Sequence, residues 1–450
     1  MKIKTIFFLT ICSFLFSGLY SPENQKKPNI LCIFVDDLGY GDLSVQGATD
    51  LQTPNIDNIS AQGLTFTRFY ANSTVCSPSR ASLLTGRYPD MVGVPGVIRQ
   101  NKENSWGHLS KQAVLLPEVL NSAGYHTTII GKWHLGLESP NTPNERGFDL
   151  FKGFLGDMMD DYYDHRRGGI NWMRENGKEI DPKGHATDIF TDWAVQYLKD
   201  RKKEKNPFFL YLAYNAPHFP IQPPEEWLKK VREREKGISE DRAKNVAFIE
   251  HLDHAVGRVM NTLKQTGLDK NTLVVFTSDN GGSLRHTQSN GKLRGGKQDM
   301  YEGGIRVPMF VVWKDKIIAG SKTENLALLM DLFPTFCEIA GAPFDHEIDG
   351  KSILPTVLGQ EQTTDDRYVY WVRREGGGRY GGQAYYAAGY KDSKILQNTP
   401  FEPVQYFKLD KDPYEQNDMS GQPDDTYRAL RKELQEHIRK AGSVPWNSEQ

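Results

Sequence analysis

The chain has 450 residues, of which 38% are hydrophobic and 25% are charged, and its formal net charge is −2. This length allows a large buried core and more than one folding unit. The near-neutral charge excludes a global electrostatic attraction to nucleic acid or to an anionic membrane, so neither is predicted as a partner. A polyanionic substrate would therefore need a local cationic site.

The N-terminus has the pattern of a secretory signal. Lys2 and Lys4 form a short charged region, and a mostly apolar run follows over residues 6–20. This run is shorter than the ~20 apolar residues that a membrane span needs, so we expect residues 1–21 to be a cleaved signal and not an anchor. Cys12 follows a bulky residue, which argues against a lipoprotein signal. We therefore expect a secreted or periplasmic protein without stable membrane insertion.

Removal of this signal leaves three cysteines: Cys32, Cys76 and Cys337. An odd and sparse set of cysteines in an exported protein argues against a disulfide scaffold. The pattern instead suggests that one thiol has another purpose.

Four apolar, β-rich runs each end in polar residues, and continuous runs of this kind predict strands that are covered on both faces. Residues 116–123 and 249–263 have helical periodicity, with Gly124 and Gly267 as stops. This alternation predicts an α/β fold with a mainly parallel sheet sandwiched by helices, in which ligands collect at the carboxyl ends of the strands. The predicted strands are residues 29–35, 127–130, 208–214 and 273–277.

The composition changes after about residue 362. Residues 367–395 are rich in Tyr, Gly and Arg, and a charged helical pattern covers residues 426–440. Strands followed by one helix predict a smaller antiparallel α+β unit. We therefore expect a main domain over residues 26–362 and a C-terminal subdomain over residues 363–450.

Two of the predicted strands are followed by hard oxygen ligands. Asp36 and Asp37 follow the first strand, and Asp279 and Asn280 follow the last one. Either pair alone is typical of a residue pair that caps a turn. Together, three carboxylates and one amide carbonyl predict a site for Ca²⁺ or Mg²⁺ and not for a soft metal.

Cys76 begins the segment Cys76-Ser77-Pro78-Ser79-Arg80, in which Pro78 and Ser79 resemble a helix entry. We expect Ser79 to be the N-cap, so that the start of the helix favours a nearby anion and Arg80 reaches back toward it. A thiol phosphatase would need an arginine six residues after the cysteine, where this chain has Ser82. The other interpretation of Cys76 is a small buried side chain.

These segments together resemble the type I sulfatases of the alkaline phosphatase superfamily, in particular the secreted polysaccharide sulfatases. The matching motifs occur in the order of that family from about residue 28 to residue 308, and a weaker match at Phe407-Lys408-Leu409 with Asp412-Pro413 extends it to the C-terminal part. The motifs are Cys-Ser-Pro-Ser-Arg at 76–80 with Leu-Thr-Gly-Arg at 84–87, Asp-Asp-Leu-Gly-Tyr-Gly-Asp at 36–42, Thr-Pro-Asn-Ile-Asp at 53–57, Gly-Lys-Trp-His-Leu-Gly at 131–136, Ala-Pro-His at 216–218, Ser-Asp-Asn-Gly at 278–281, and Gly-Lys at 296–297 leading to Tyr-Glu-Gly-Gly at 301–304.

The resemblance implies that Cys76 is oxidised to formylglycine (3-oxoalanine) by a formylglycine-generating enzyme or an anaerobic sulfatase-maturating enzyme. It also implies one calcium ion, which binds a hydroxyl of the formylglycine hydrate. That oxygen attacks the sulfur of a sulfate ester and forms a covalent sulfated intermediate. The implied metal ligands are Asp36, Asp37, Asp279, Asn280 and the modified Cys76.

The resemblance assigns five further residues to the chemistry. His134 would take a proton as the intermediate collapses and sulfate leaves, and Arg80 would orient the formylglycine. Lys132, Lys297 and His218 would neutralise the sulfate group, with His218 or Lys297 protonating the leaving oxygen.

Substrate choice must depend on loops around the sulfate pocket. The segment 157–174 contains Arg166, Arg167 and Trp172, and the segment 373–380 mixes Arg and Gly. Aromatic rings stack on sugars and arginine binds carboxylate or sulfate, although a solvated loop explains the same composition. We therefore expect a sulfated glycan as the substrate, such as ulvan, carrageenan or a glycosaminoglycan.

Two other functions remain open from the sequence. A phosphodiester or phosphonate monoester hydrolase can share the fold, the metal and the formylglycine of this superfamily. A non-catalytic binder of sulfated glycan is the second alternative, but such a protein would be expected to lose Cys76, Lys132 or His134, and this sequence keeps all three.

Overall fold

A computed structural model describes residues 26–101, 104–375 and 383–446. The predicted signal at residues 1–21 lies outside the described residues. The strands are Asn29–Val35 (β1), Leu64–Phe66 (β2), Phe69–Tyr70 (β3), His126–Lys132 (β4), Leu150–Phe154 (β5), Arg166–Arg167 (β6), Ile170–Asn171 (β7), Met173–Glu175 (β8), Lys178–Glu179 (β9), Phe208–Ala213 (β10), Thr272–Ser278 (β11), Met309–Trp313 (β12), Ser321–Thr323 (β13), Ala327–Leu328 (β14), Tyr368–Arg374 (β15), Ala384–Tyr390 (β16), Ser393–Gln397 (β17) and Gln405–Lys408 (β18). The helices are Pro54–Gln62 (α1), Cys76–Thr85 (α2), Leu116–Ser122 (α3), Ala186–Arg201 (α4), Glu225–Arg234 (α5), Glu240–Thr266 (α6), Glu302–Ile305 (α7), Leu332–Ala340 (α8), Leu354–Val357 (α9) and Asp425–Ala441 (α10).

The core of the molecule is a ten-stranded mixed sheet with the strand order β13-β2-β12-β11-β1-β10-β4-β5-β8-β9. Its centre, from β11 to β5, is parallel, and the four strands predicted from the apolar runs are neighbours there. Antiparallel pairs join β12 to the central strands on one side and β8 on the other. The prediction of a mainly parallel sheet is therefore confirmed for the central strands that lead to the site.

Helices cover both faces of this sheet, as the alternating pattern predicts. Alternate residues of β1 enter opposite cores, since Cys32 packs with one cluster and Leu31 and Ile33 pack with the other. The helices α1, α4 and α6 contribute to the cluster that contains Leu31, whereas α2, α3 and α8 contribute to the cluster that contains Cys32. Both predicted helices are confirmed as α3 and α6, and α6 ends at Gly267, which has a left-handed backbone with φ of 76°.

A smaller antiparallel sheet, β15-β16-β17-β18, follows the main sheet, and α10 packs against it. This arrangement confirms the predicted C-terminal α+β unit, whereas its boundary at residue 362 stays a prediction. A buried ion cluster joins this unit to α7, because Lys394 Nζ lies 3.0 Å from Glu302 Oε1 and 2.8 Å from Glu415 Oε1. Within the described ranges, none of the helices is both long and apolar enough to span a membrane.

Candidate active site

The carboxyl ends of β1 and β11 place four oxygen-bearing side chains together. Val35 and Ser278 are paired across these strands, so the residues that follow them, Asp36-Asp37 and Asp279-Asn280, leave the sheet side by side. The Asp37 backbone N–H donates to Asp279 Oδ1 at 3.0 Å. The three carboxylates each offer an oxygen within 4.8 Å of the others.

The donor set fits a hard cation. Asp36 Oδ1 and Asn280 Oδ1 are buried and have no hydrogen-bond partner among the described residues, which is costly unless a cation or water satisfies them. Burial and then the charge of Asp36 raise the pKa of Asp279 well above its usual range. A divalent cation would relieve this repulsion, and carboxylate and amide oxygens are the ligands that Ca²⁺ prefers.

Cys76 is the first residue of α2, so the expectation that Ser79 caps this helix is wrong. Val75 is the extended residue before the helix, and Pro78 is tolerated in the first turn because a backbone N–H has no intrahelical partner there. The Ser79 hydroxyl instead donates to the Ser73 carbonyl at 3.2 Å. The consequence is that Cys76 itself lies at the positive end of the helix dipole.

The Cys76 side chain is buried and lies beside the acidic cluster. Asp36, Cys76 and His218 each offer a ligand atom within 4.8 Å of the other two. Burial raises the pKa of the Cys76 thiol to about 11. An unmodified thiol here is therefore protonated at neutral pH and is a poor nucleophile.

Arg80 is fully buried behind the acidic cluster. Its guanidinium donates to the Lys132 carbonyl at 3.1 Å and to Asp279 Oδ2 at 3.2 Å, and it lies 3.5 Å from Asp36 Oδ2. These contacts hold the end of β4 and the two carboxylates in one arrangement. Arg80 thus ties together three segments that are distant in the sequence.

Two lysines contact the carboxylates of this cluster. Lys132, at the end of β4, places Nζ 2.5 Å from Asp36 Oδ2, and Lys297 places Nζ 2.7 Å from Asp37 Oδ2. Burial alone would lower the pKa of Lys297, but Asp37 and Cys76 outweigh it and raise that pKa. Both Nζ atoms therefore contact carboxylates of the acidic cluster that lies beside Cys76.

One ring nitrogen of His134 makes a hydrogen bond, and the other has no hydrogen-bond partner among the described residues. Its Nε2 lies 2.8 Å from the Ile98 carbonyl, which can only accept, so Nε2 carries the proton. Nδ1 is buried with no hydrogen-bond partner among the described residues. Burial and then Lys132 hold the pKa of His134 well below its usual value, so the ring is neutral and Nδ1 is available to accept a proton. The backbone is left-handed, with φ of 60°, a conformation that ordinary residues rarely adopt.

His218 lies on the other side of Cys76, after the end of β10. Its Nδ1 donates to the Phe219 carbonyl at 2.6 Å, which leaves Nε2 facing Asp37 Oδ2 at 3.6 Å. Burial and then Lys297 lower the pKa of His218. A proton on Nε2 would therefore be readily given up.

These residues open into a cavity of about 570 Å³, with Cys76, His134, His218 and Lys297 in its wall. The loop residues that the sequence analysis grouped together are divided by the structure. Arg167 lines this cavity and pairs with Asp157 at 3.3 Å and Asp160 at 2.6 Å. Arg166 does not line it and pairs with Asp164 and Asp181, whereas Trp172 lines a neighbouring cavity.

At the start of the segment 373–380, Arg373 and Glu375 are buried and not part of an exposed loop. Arg373 belongs to β15, is 1% exposed, and donates to Glu375 Oε2 at 2.8 Å. Residues 376–380 lie outside the described residues. Sequence reasoning missed Glu375 and Arg99, which line the catalytic cavity as an ion pair at 3.2 Å, and the Ile98 carbonyl that holds His134. No local pattern marks these residues, because their role depends on contacts between distant segments.

Comparisons with known proteins agree with this geometry. The sequence model of the family Sulfatase matches residues 28–342, and that of the N-sulphoglucosamine sulphohydrolase C-terminal region matches residues 296–443. The N-acetylgalactosamine-6-sulfatase of Canis lupus familiaris is 34% identical over 379 residues, which cover 79% of this chain and 70% of that protein. Arylsulfatase A of Homo sapiens is 35% identical over 366 residues, which cover 74% of this chain and 68% of that protein.

The fold has close counterparts among solved structures. The crystal structure of Ps i-CgsB in complex with k-i-k-neocarrahexaose has a TM-score of 0.85 and 31% sequence identity, and the match covers 94% of this chain and 95% of that one. The family match spans well over half of the chain, and these relatives exceed 30% identity over most of it. The chain therefore belongs to the sulfatase family of the alkaline phosphatase superfamily and is a sulfuric ester hydrolase.

Proposed function

We propose that this sulfatase removes sulfate from a sulfated glycan, with a formylglycine made from Cys76 as the nucleophile and one Ca²⁺ as the cofactor. The observation that carries the proposal is the position of Cys76. Cys76 is the first residue of a buried helix and lines a cavity of about 570 Å³. Its Sγ lies within 4.8 Å of a carboxylate oxygen of Asp36 and of a ring nitrogen of His218. A nucleophile made from this side chain would therefore meet both the acidic cluster and the cavity.

The proposed metal site uses the four residues that follow β1 and β11. When bound, Ca²⁺ would favour ionisation of the attacking hydroxyl and neutralise charge on the sulfate. The unpartnered buried oxygens of Asp36 and Asn280 support this assignment, since a cation would satisfy both. The proposed ligands from the chain are Asp36, Asp37, Asp279, Asn280 and the residue derived from Cys76.

Cationic side chains would bind the sulfate oxygens. Lys297 lines the cavity and lies beside Asp37, whereas Lys132 is buried behind it and lies beside Asp36, so sulfate would enter a site whose cationic groups are already held in place. Arg80 is a positioning residue, because it contacts the carboxylates and the Lys132 carbonyl from behind.

His134 is the proposed base. Its Nε2–H is held by the Ile98 carbonyl, and its unpartnered Nδ1 would accept the proton of the second hydroxyl on residue 76 as sulfate leaves. The acid that protonates the leaving alcohol is His218 Nε2 or Lys297 Nζ, both of which line the cavity. Water then restores the nucleophile, so that the net reaction converts a sulfate ester and water to an alcohol and sulfate.

A glycan substrate is supported by the relatives and by the cavity. One relative is an N-acetylgalactosamine-6-sulfatase, and one solved neighbour holds k-i-k-neocarrahexaose. Arg167 and Arg99 lie on the cavity wall, where they can face acidic groups of a sugar chain. Arg166 and Trp172 lie outside the catalytic cavity, so their proposed contributions to substrate binding are less direct.

The proposal includes export and maturation. The lysines and the short apolar run near the N-terminus favour a secreted or periplasmic enzyme, and Cys76 needs a formylglycine-generating or anaerobic sulfatase-maturating enzyme as a partner. A polymeric sulfated substrate outside the cytoplasm is consistent with this location.

The deciding experiment measures kcat/KM on sulfated oligosaccharides, 4-nitrophenyl sulfate and a phosphodiester of the same leaving group. The proposal expects sulfated oligosaccharides to be hydrolysed with the highest kcat/KM. A higher kcat/KM on the phosphodiester would refute the proposal and favour a phosphodiester hydrolase. The absence of turnover on every substrate by protein that carries formylglycine would favour a non-catalytic binder.

A further inference from the structure

A second cavity of about 380 Å³ lies beside the catalytic one. Arg99 lines both cavities, and Ile98, whose carbonyl holds His134, lines the second. The volume lies in the range of small-molecule binding sites. The two cavities therefore share one wall, formed by the segment around residues 97–99.

Two tryptophans from distant parts of the chain line this second cavity. Trp172 follows β7, and its indole N–H donates to Gln100 Oε1 at 3.1 Å, which fixes the ring against the shared wall. Trp446 follows α10 and stacks on Trp106, with ring centroids 4.8 Å apart and planes inclined by 18°. The segment after α10 thus returns to the loop that contains Trp106 and adds an aromatic ring to the second cavity.

The remaining wall combines apolar and polar side chains. Leu135 and Leu137 follow the catalytic His134, and Gln100, His108 and Glu138 add polar groups. Sugars present apolar C–H faces and a rim of hydroxyl groups, so they bind where aromatic rings and hydrogen-bonding side chains occur together.

We propose that this second cavity is a subsite for the sugar unit next to the sulfated one, with Trp446 as a specificity-determining residue. The inference rests on the proposed glycan substrate and deepens it. The enzyme then recognises at least two linked units and not an isolated sulfated monosaccharide.

The common border of the two cavities identifies the occupant. The segment 166–172 contributes Arg167 to the catalytic cavity and Trp172 to the second cavity. Arg99 lines both cavities. A glycan whose sulfated unit lies at Cys76 would therefore bring its neighbouring unit to the border of the second cavity, so that one molecule can occupy both.

The test compares Trp446→Ala with wild-type enzyme on two substrates. One is the best substrate from a panel of chondroitin sulfate, carrageenan and ulvan oligosaccharides, and the other is 4-nitrophenyl sulfate. We expect the ratio of kcat/KM on the oligosaccharide to that on the aryl sulfate to fall about tenfold. Trp446→Phe should restore most of the ratio. Trp227→Ala, which changes a tryptophan on α5, should leave it unchanged and serves as the control.

The outcomes separate this inference from the proposed function. Hydrolysis of 4-nitrophenyl sulfate without hydrolysis of any oligosaccharide would overturn the glycan substrate and the subsite together. Hydrolysis of an oligosaccharide with an unchanged or increased ratio in Trp446→Ala would overturn the subsite and leave the proposed function intact. Turnover of the aryl sulfate shows in each case that the variant is folded and mature.

Discussion

Replacement of His134 by asparagine tests the proposed base most directly. The ring nitrogen Nε2 is held 2.8 Å from the Ile98 carbonyl, and Nδ1 has no partner among the described residues. The backbone at this position has φ of 60°. Asparagine tolerates this left-handed conformation better than alanine does, so His134→Asn removes the base with less strain in the loop.

The expected loss follows from the role of a single general base. Such a group contributes about 10² to 10⁴ in rate, so kcat should fall by that factor, or about 3–5 kcal/mol in the activation barrier. The loss should be similar on an oligosaccharide and on an aryl sulfate, because His134 acts on residue 76 and not on the sugar. His134→Ala should lose at least as much, with lower stability, since its backbone conformation is less favourable.

Stopped-flow measurement with 4-nitrophenyl sulfate provides the assay. If His134 acts after the leaving group has departed, His134→Asn should release about one equivalent of nitrophenol quickly and then turn over slowly. The control is wild-type enzyme with the same formylglycine content by peptide mass spectrometry. A variant that retains more than about a tenth of wild-type kcat would refute the assignment of His134 as the base.

Four other results are expected. Peptide mass spectrometry of protein from a competent host should show an aldehyde at Cys76, and active enzyme with only a thiol there would contradict the mechanism. Exhaustive chelation should abolish turnover, and added Ca²⁺ should restore it better than added Zn²⁺. Added Ca²⁺ should not restore turnover in Asp279→Ala. Full turnover after chelation would show that the reaction needs no metal. Arg167→Ala should lower kcat/KM on the oligosaccharide about tenfold, or ~1.4 kcal/mol, and should barely change kcat/KM on the aryl sulfate. Equal losses on both substrates would show that Arg167 stabilises the catalytic centre and does not recognise the sugar. Burial raises the pKa of Glu415 from 4.5 to about 7, so this group contributes stability below pH 4.5 that is lost as the pH rises through 7. Lys394→Met should then lower the free energy of unfolding, measured in urea, by about 3–5 kcal/mol, and by more at pH 8 than at pH 5. An equal loss at both pH values would show that Glu302 and Glu415 are not coupled to Lys394.

The sequence predicted the central sheet well because buried parallel strands must be apolar on both faces. The run at residues 29–35 coincides with β1, and the polar residues at its end lie where ligands of an α/β sheet collect. The strand pattern alone was therefore enough to place Asp36, Asp279 and Lys132 near one another. Local sequence carries this information because each residue directly follows or ends its own strand.

Other parts of the site depend on contacts that no local pattern records. The pairing of His134 with the Ile98 carbonyl and the approach of Trp446 to Trp106 join segments that are far apart in the chain. The loop 157–174 was expected to form one recognition surface, but Arg166 and Arg167 are consecutive residues of β6, so their side chains point to different partners. A helix start is ambiguous for a related reason, since Pro78 is as acceptable within the first turn as before it.

The position of Trp446 has a consequence for how new specificities arise. Residues beyond 362 supply Glu375 to one cavity and Trp446 to the other, whereas Cys76 and the carboxylates come from earlier segments. Exchange of the C-terminal part between two related genes would therefore alter both walls in one recombination event and leave the proposed nucleophile and metal ligands unchanged. Selection could then test a new sugar preference on an enzyme whose chemistry already works.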